Sequence, residues 1–125
     1  MDNYIEKVKR TECDYNEDTD ARLLSLIRVL HGAMGLCSET GEFVDRLKRR
    51  IYYGEETDWT NLKEEAGDLL WYIAIIIDSC GTTFEQCMEK NIAKLKARYP
   101  EKFTEEDALN RDLREERKVL EDGQE

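Results

Sequence analysis

The sequence predicts an all-α protein: a helical bundle built on an antiparallel helix hairpin and completed by assembly with further copies of itself. Three observations predict it. Charged residues make up 38% of the 125, with the good helix formers Glu, Lys and Arg prominent. Pro100 is the single proline and glycines are few. Apolar residues recur at spacings of three and four along two long stretches, which is the helical period.

Residues 1–12 read as a short amphipathic helix carrying Tyr4, Ile5 and Val8. The stretch 13–19 has turn chemistry and ends at a helix cap, Thr19 or Asp20. A long helix is expected from about 20 to 51, with Leu23, Leu26, Ile27, Leu30, Met34, Cys37, Val44, Leu47 and Ile51 on its apolar face. Gly32, Gly35 and Gly41 interrupt it, each costing about 1 kcal/mol against alanine, so each calls for a packing reason or a break. Residues 52–57 form the connector, and Asp58 caps a second helix over 59–80 whose later half is apolar nearly all round. Gly81 ends it. Thr83 opens a capping box with Gln86, and helix 84–98 stops at Tyr99, before Pro100. Thr104 begins a last charged helix to about 120 with a thin apolar stripe, placed to pack on a partner or to stand free. The domain reading is one unit over 1–104, with its core at 20–103, and a charged helix or tail over 105–125.

The formal charge of −10 excludes a nucleic-acid or anionic-membrane binder driven by bulk charge. It does not exclude a small polyanion, since a bound cation reverses the sign of a site. Cys13, Cys37, Cys80 and Cys87 form no C-x-x-C pair, and the chain opens with no secretory pattern and holds no membrane-length apolar run. A cytoplasmic protein with reduced thiols is expected.

Two acidic pairs carry the chemistry. Glu39 and Glu42 are three apart, as are Glu65 and Asp68, so each pair shares a helix face. In an antiparallel hairpin, a rise of about 1.5 Å per residue brings both pairs to similar height. Four converging acids repel unless a cation joins them, and hard oxygen ligands suit Mg²⁺ or Mn²⁺. Gly41 and Gly67 stand beside the inner acids and are expected to let the helices approach closely there. The competing reading is a solvated acidic face, and spacing alone leaves the two evenly balanced. A di-iron bundle would need Glu-x-x-His on two helices, and His31, the single histidine, follows no such Glu.

The segments HGAMGLCSETGEFVDRLKR, EEAGDLLWYIA and NIAKLKARYP, in that order, resemble the MazG-like nucleotide pyrophosphohydrolases over about residues 24–103. Their signature is E-x-x-E, a spacer, then E-x-x-D. The resemblance implies an all-α fold, dimers or tetramers, and Mg²⁺-dependent hydrolysis of nucleoside triphosphates to monophosphate and pyrophosphate. It implies Glu39, Glu42, Glu65 and Asp68 as metal ligands, and Lys48 as a catalytic group facing the phosphates. Asn91, Lys94, Arg98 and Tyr99 match a segment contributing phosphate or base contacts. A carboxylate would activate water, with Glu39 assigned the role.

Bland readings stand beside these. Lys94 and Arg98 could form a solvated face or pair with Glu101 and Glu89. Trp71 and Tyr72 are core or base-stacking residues. His31 is a helix-interface residue or a base contact. Asp45 extends the acidic face or pairs with neighbouring arginines. The rival functions are a pyrophosphohydrolase of a specialised substrate such as phosphoribosyl-ATP, and a non-enzymatic, metal-binding helical oligomer.

Overall fold

The computed structural model describes residues 2–16 and 19–122, which hold six α-helices and no strand. Glu17 and Asp18, in the expected turn, lie outside the described residues. The chain divides into two compact units, Met1–Thr82 and Thr83–Glu125.

In the first unit, α1 spans Asp2–Lys9, α2 Ala21–Tyr53 and α3 Trp59–Ser79. Asp20 is the cap of α2, accepting from the Arg22 amide at 2.7 Å. The helix runs past its expected end to Tyr53. Gly54 stops it at φ 68°, a left-handed conformation that costs glycine little, and returns its N–H to the Arg49 carbonyl. Asp58 caps α3 through the Asn61 amide at 3.0 Å.

The core belongs mainly to α3, which buries Leu62, Ala74, Ile75 and Ile77. α1 packs on α3 and buries Ile5 and Val8. α2 meets α3 through Gly32 and Gly35, opposite Ile76 and Tyr72 respectively. Further along α2, Glu42 meets Glu65. Partners on α3 thus descend as α2 ascends, so the two helices run in opposite directions.

Two expectations need correction. The close approach is made at Gly32 and Gly35, whereas nothing lies within 4 Å of a Cβ placed on Gly41 or Gly67. The apolar stripe of α2 has the expected period but faces outward: Leu26 is 67% and Met34 64% exposed, and Leu23, Leu30, Val44, Leu47 and Ile51 are exposed with them. Periodicity identifies a face without saying what covers it. The narrow glycine seam admits α3 on a different side.

In the second unit, α4 is Phe84–Arg98, with the Thr83–Gln86 capping box formed on both sides. The expected single helix from Thr104 is two, α5 (Glu105–Leu109) and α6 (Leu113–Glu121). Short polar side chains divide it by competing for backbone groups. Asn110 donates to the Glu106 carbonyl at 3.1 Å, and Asp112 accepts from the Arg114 and Glu115 amides to start α6 afresh. α6 packs on α4, where Lys90 donates to the Leu120 carbonyl at 2.8 Å.

Candidate metal centre

Glu39 and Glu42 stand one turn apart on α2, and Glu65 lies on the facing side of α3. One carboxylate oxygen from each of the three falls within 4.8 Å of the others. Glu65 is buried, Glu39 half-buried and Glu42 exposed. Burial and then the charge of Glu42 push the Glu39 carboxyl above its ordinary range, with smaller upward contributions from Asp68 and Glu65 against a Ser38 hydrogen bond that lowers it. The charges of the other three acids thus all bear on Glu39. The tight group holds three of the four. Asp68 is exposed and joins Glu39 in the wall of an adjoining cavity.

That cavity has a volume of about 300 Å³ and is lined by Thr11, Glu39, Asp68, Trp71 and Tyr72. Trp71 and Tyr72 meet edge to face at 4.9 Å. The Trp71 indole N–H donates to the Thr11 hydroxyl at 2.8 Å, and that hydroxyl donates in turn to the Val8 carbonyl at 2.9 Å. The segment after α1 thus orients an aromatic wall of the cavity.

His31 sits behind this wall, edge-on to Trp71 and Tyr72. The Tyr15 hydroxyl donates to the Glu12 carboxylate at 2.8 Å and lies 3.0 Å from His31 Nδ1. A hydroxyl has one proton, so with Glu12 ionised Nδ1 is the donor to Tyr15. These contacts give His31 its place at the helix interface. Arg28 anchors the same segment, with two hydrogen bonds to Glu12 at 2.7 and 2.6 Å and an ion pair to Asp78 at 2.8 Å. Asp78, near the end of α3, thus belongs to an ion cluster with Arg28 and Lys9.

The basic residues occupy other places. Lys48 pairs with Asp45 at 2.6 Å on the exposed surface of α2, and Asp45 also takes Arg49 at 2.8 Å. Asp45 is therefore a surface ion-pair residue. At 3.6 residues per turn, Lys48 lies about half a turn around α2 from Glu39. Asn91, Lys94, Arg98 and Tyr99 all belong to the second unit. Arg98, expected on phosphates, with Glu89 and Glu101 as the competing partners, grips Glu116 through two hydrogen bonds of 2.9 and 2.6 Å. Arg111 binds the same carboxylate from another side, at 3.2 and 2.8 Å. Forked, charge-assisted bonds of this kind are strong, and Glu116 is only 5% exposed. Tyr99 packs on Phe103 at 5.4 Å; Asn91 is exposed and Lys94 half-buried.

Two residues were missed in the sequence. Asn61 donates to Glu65 at 3.1 Å from four positions earlier on the same helix, a spacing that could have revealed it. Thr11 meets Trp71 across sixty positions, and no local pattern signals that contact.

No curated protein and no solved structure matches the chain significantly. The family model of the MazG nucleotide pyrophosphohydrolase domain matches residues 31–103, which contain both acidic pairs, Trp71 and Tyr72. The chain belongs to the MazG nucleotide pyrophosphohydrolase domain family.

Proposed function

We propose that the protein is a Mg²⁺-dependent pyrophosphohydrolase that cleaves ribo- or deoxyribonucleoside triphosphates to monophosphate and pyrophosphate and clears unwanted nucleotides from the cytoplasmic pool. The observation that carries this reading is the convergence of Glu39, Glu42 and Glu65 within 4.8 Å inside the family-matched span.

The donor set fits the metal. Hard, mutually repelling carboxylates, one of them buried, gain from a small divalent cation and suit Mg²⁺, with Mn²⁺ as its substitute. Glu39, Glu42 and Glu65 would hold it, with Asp68 as the fourth acid. Bound there, the metal would neutralise phosphate charge and acidify water.

Glu39 belongs both to the three-acid group and to the aromatic cavity. It therefore stands where phosphate and nucleoside ends of a substrate would meet, and we assign it the proton of the attacking water. Trp71 and Tyr72 offer faces and edges to a base. Lys48 is a phosphate-binding cation in reserve: its exposed pair with Asp45 is worth little, so an anionic substrate can draw it away. Arg98 has no such freedom while Glu116 holds it, and we leave it out of the phosphate site.

The exposed stripe of α2 supports a homo-oligomer, a dimer or tetramer, in which a second copy covers Leu26, Leu30 and Met34. The four free cysteines suit a reducing compartment.

The test is pyrophosphate release from a panel of ribo- and deoxyribonucleoside triphosphates, with Mg²⁺ and with EDTA. Turnover with Mg²⁺ that EDTA abolishes supports the reading, and the panel names the base and sugar. No turnover of any nucleotide by the folded protein rejects it.

A further inference from the structure

Asn61 stands one turn before Glu65 on α3. Its amide nitrogen donates to Glu65 Oε1 at 3.1 Å and to Glu64 Oε2 at 3.3 Å. Its carbonyl oxygen, Oδ1, is buried without a hydrogen-bond partner. Turning the amide over would not relieve this. It would set Oδ1 against two carboxylates, which have no proton to give. The side chain is therefore fixed with its donor on Glu65 and its acceptor empty.

A buried acceptor with no donor is costly, and such atoms are rare enough to need an explanation. Glu65 is 4% exposed, and its carboxylate lies in the three-acid group. Mg²⁺ and Mn²⁺ sites keep bound waters, and those waters are strong donors. Groups that orient a metal ligand typically contribute tenfold or more to metal affinity.

We propose that Asn61 is the positioning residue of the cation site. Its amide N–H fixes the rotamer of Glu65, and its Oδ1 accepts a hydrogen bond from a water of the bound cation. This rests on the metal reading above and adds to it a residue outside the two acidic pairs. Glu64, which shares the same amide, is exposed and has no part in the site.

The test is Mn²⁺ binding followed by electron paramagnetic resonance, without nucleotide, on wild type, Asn61→Leu, Asn61→Gln and Glu64→Gln. Thermal unfolding of each variant checks its fold. Asn61→Leu is expected to weaken Mn²⁺ binding by about 10- to 100-fold. Asn61→Gln, which keeps donor and acceptor on a longer arm, should recover part of that loss. Glu64→Gln should stay within about threefold of wild type, as a loosely held surface charge would. Should Asn61→Leu fail to fold, Asn61→Gln decides: binding weaker than wild type but measurable supports the proposal, and unaltered binding overturns it. Asn61→Leu binding as wild type does, or Glu64→Gln losing as much as Asn61→Leu, overturns the role of Asn61 while leaving the metal site standing. A wild type that binds no Mn²⁺ overturns the metal site and Asn61 together.

Discussion

Gly35 lies against the ring of Tyr72 so closely that a Cβ on it would fall 2.1 Å from Tyr72 Cε1. The ring that lines the candidate site is thus seated directly on backbone of α2.

Gly35→Ala must displace that ring. Overpacking of this kind costs roughly 1–3 kcal/mol, and the helix propensity gained by alanine returns about 1 kcal/mol at most. The variant is expected to unfold at lower urea concentration than wild type. Gly41→Ala serves as its opposite, because open space surrounds that position. It should gain up to about 1 kcal/mol. Equal effects at the two glycines would contradict the packing described.

Acid should loosen both units through defined carboxylates. Burial raises Glu12, but the hydrogen bonds from Arg28 and then Tyr15 outweigh it and hold the group below the ordinary carboxylate range. Glu116 is held well below that range, first by Arg98 and then by Arg111. Asp45 is lowered to about 2 by Lys48 and then Arg49. A carboxyl lowered on folding stabilises above its unfolded value, about 4.3 for Glu and 3.9 for Asp, and that contribution disappears as pH falls through the folded value. Wild-type stability should therefore decline as pH falls below about 4. Glu12→Gln and Glu116→Gln should each start less stable at neutral pH and decline less, as measured by denaturant unfolding between neutral pH and pH 3. Parallel pH curves for wild type and both variants would contradict the pairing.

The exposed stripe of α2 gives a third expectation. Leu26→Glu together with Leu30→Glu should shift the protein towards monomer in sedimentation velocity while helix content holds. These side chains are 67% and 58% exposed in the single chain, so the monomer itself loses little by the change. An unaltered sedimentation coefficient would rule out this stripe as the assembly surface.

Much of the fold was legible because its signals are local. Asp58, Thr83 and Thr104 cap their helices through backbone amides three residues away, and such signals survive in sequence order. The nearness of Glu39, Glu42 and Glu65 was legible for the same reason. Three-residue spacing on a helix fixes a shared face, and the packing of α3 on α2 brings Glu65 to Glu39 and Glu42. What sequence order does not carry is which surface another helix chooses. Seven large apolar residues of α2, and Cys37 with them, therefore looked like core and lie outside. Arg98 matched a family position, yet its partner is decided by Glu116, eighteen residues on and beyond the family-matched span. Gly41 and Gly67 resembled Gly32 and Gly35 in the sequence, and only packing distinguishes them.

We propose above all that Glu39, Glu42 and Glu65 form a Mg²⁺ centre for cleavage between the α- and β-phosphates. Product analysis by phosphorus NMR tests it most directly, using wild type and Glu65→Gln side by side with Mg²⁺ and the best nucleotide of the panel. Wild type should give monophosphate and pyrophosphate, and a folded Glu65→Gln a rate at least about 100-fold lower. Diphosphate and inorganic phosphate as products, or a Glu65→Gln variant as fast as wild type, would contradict the proposal.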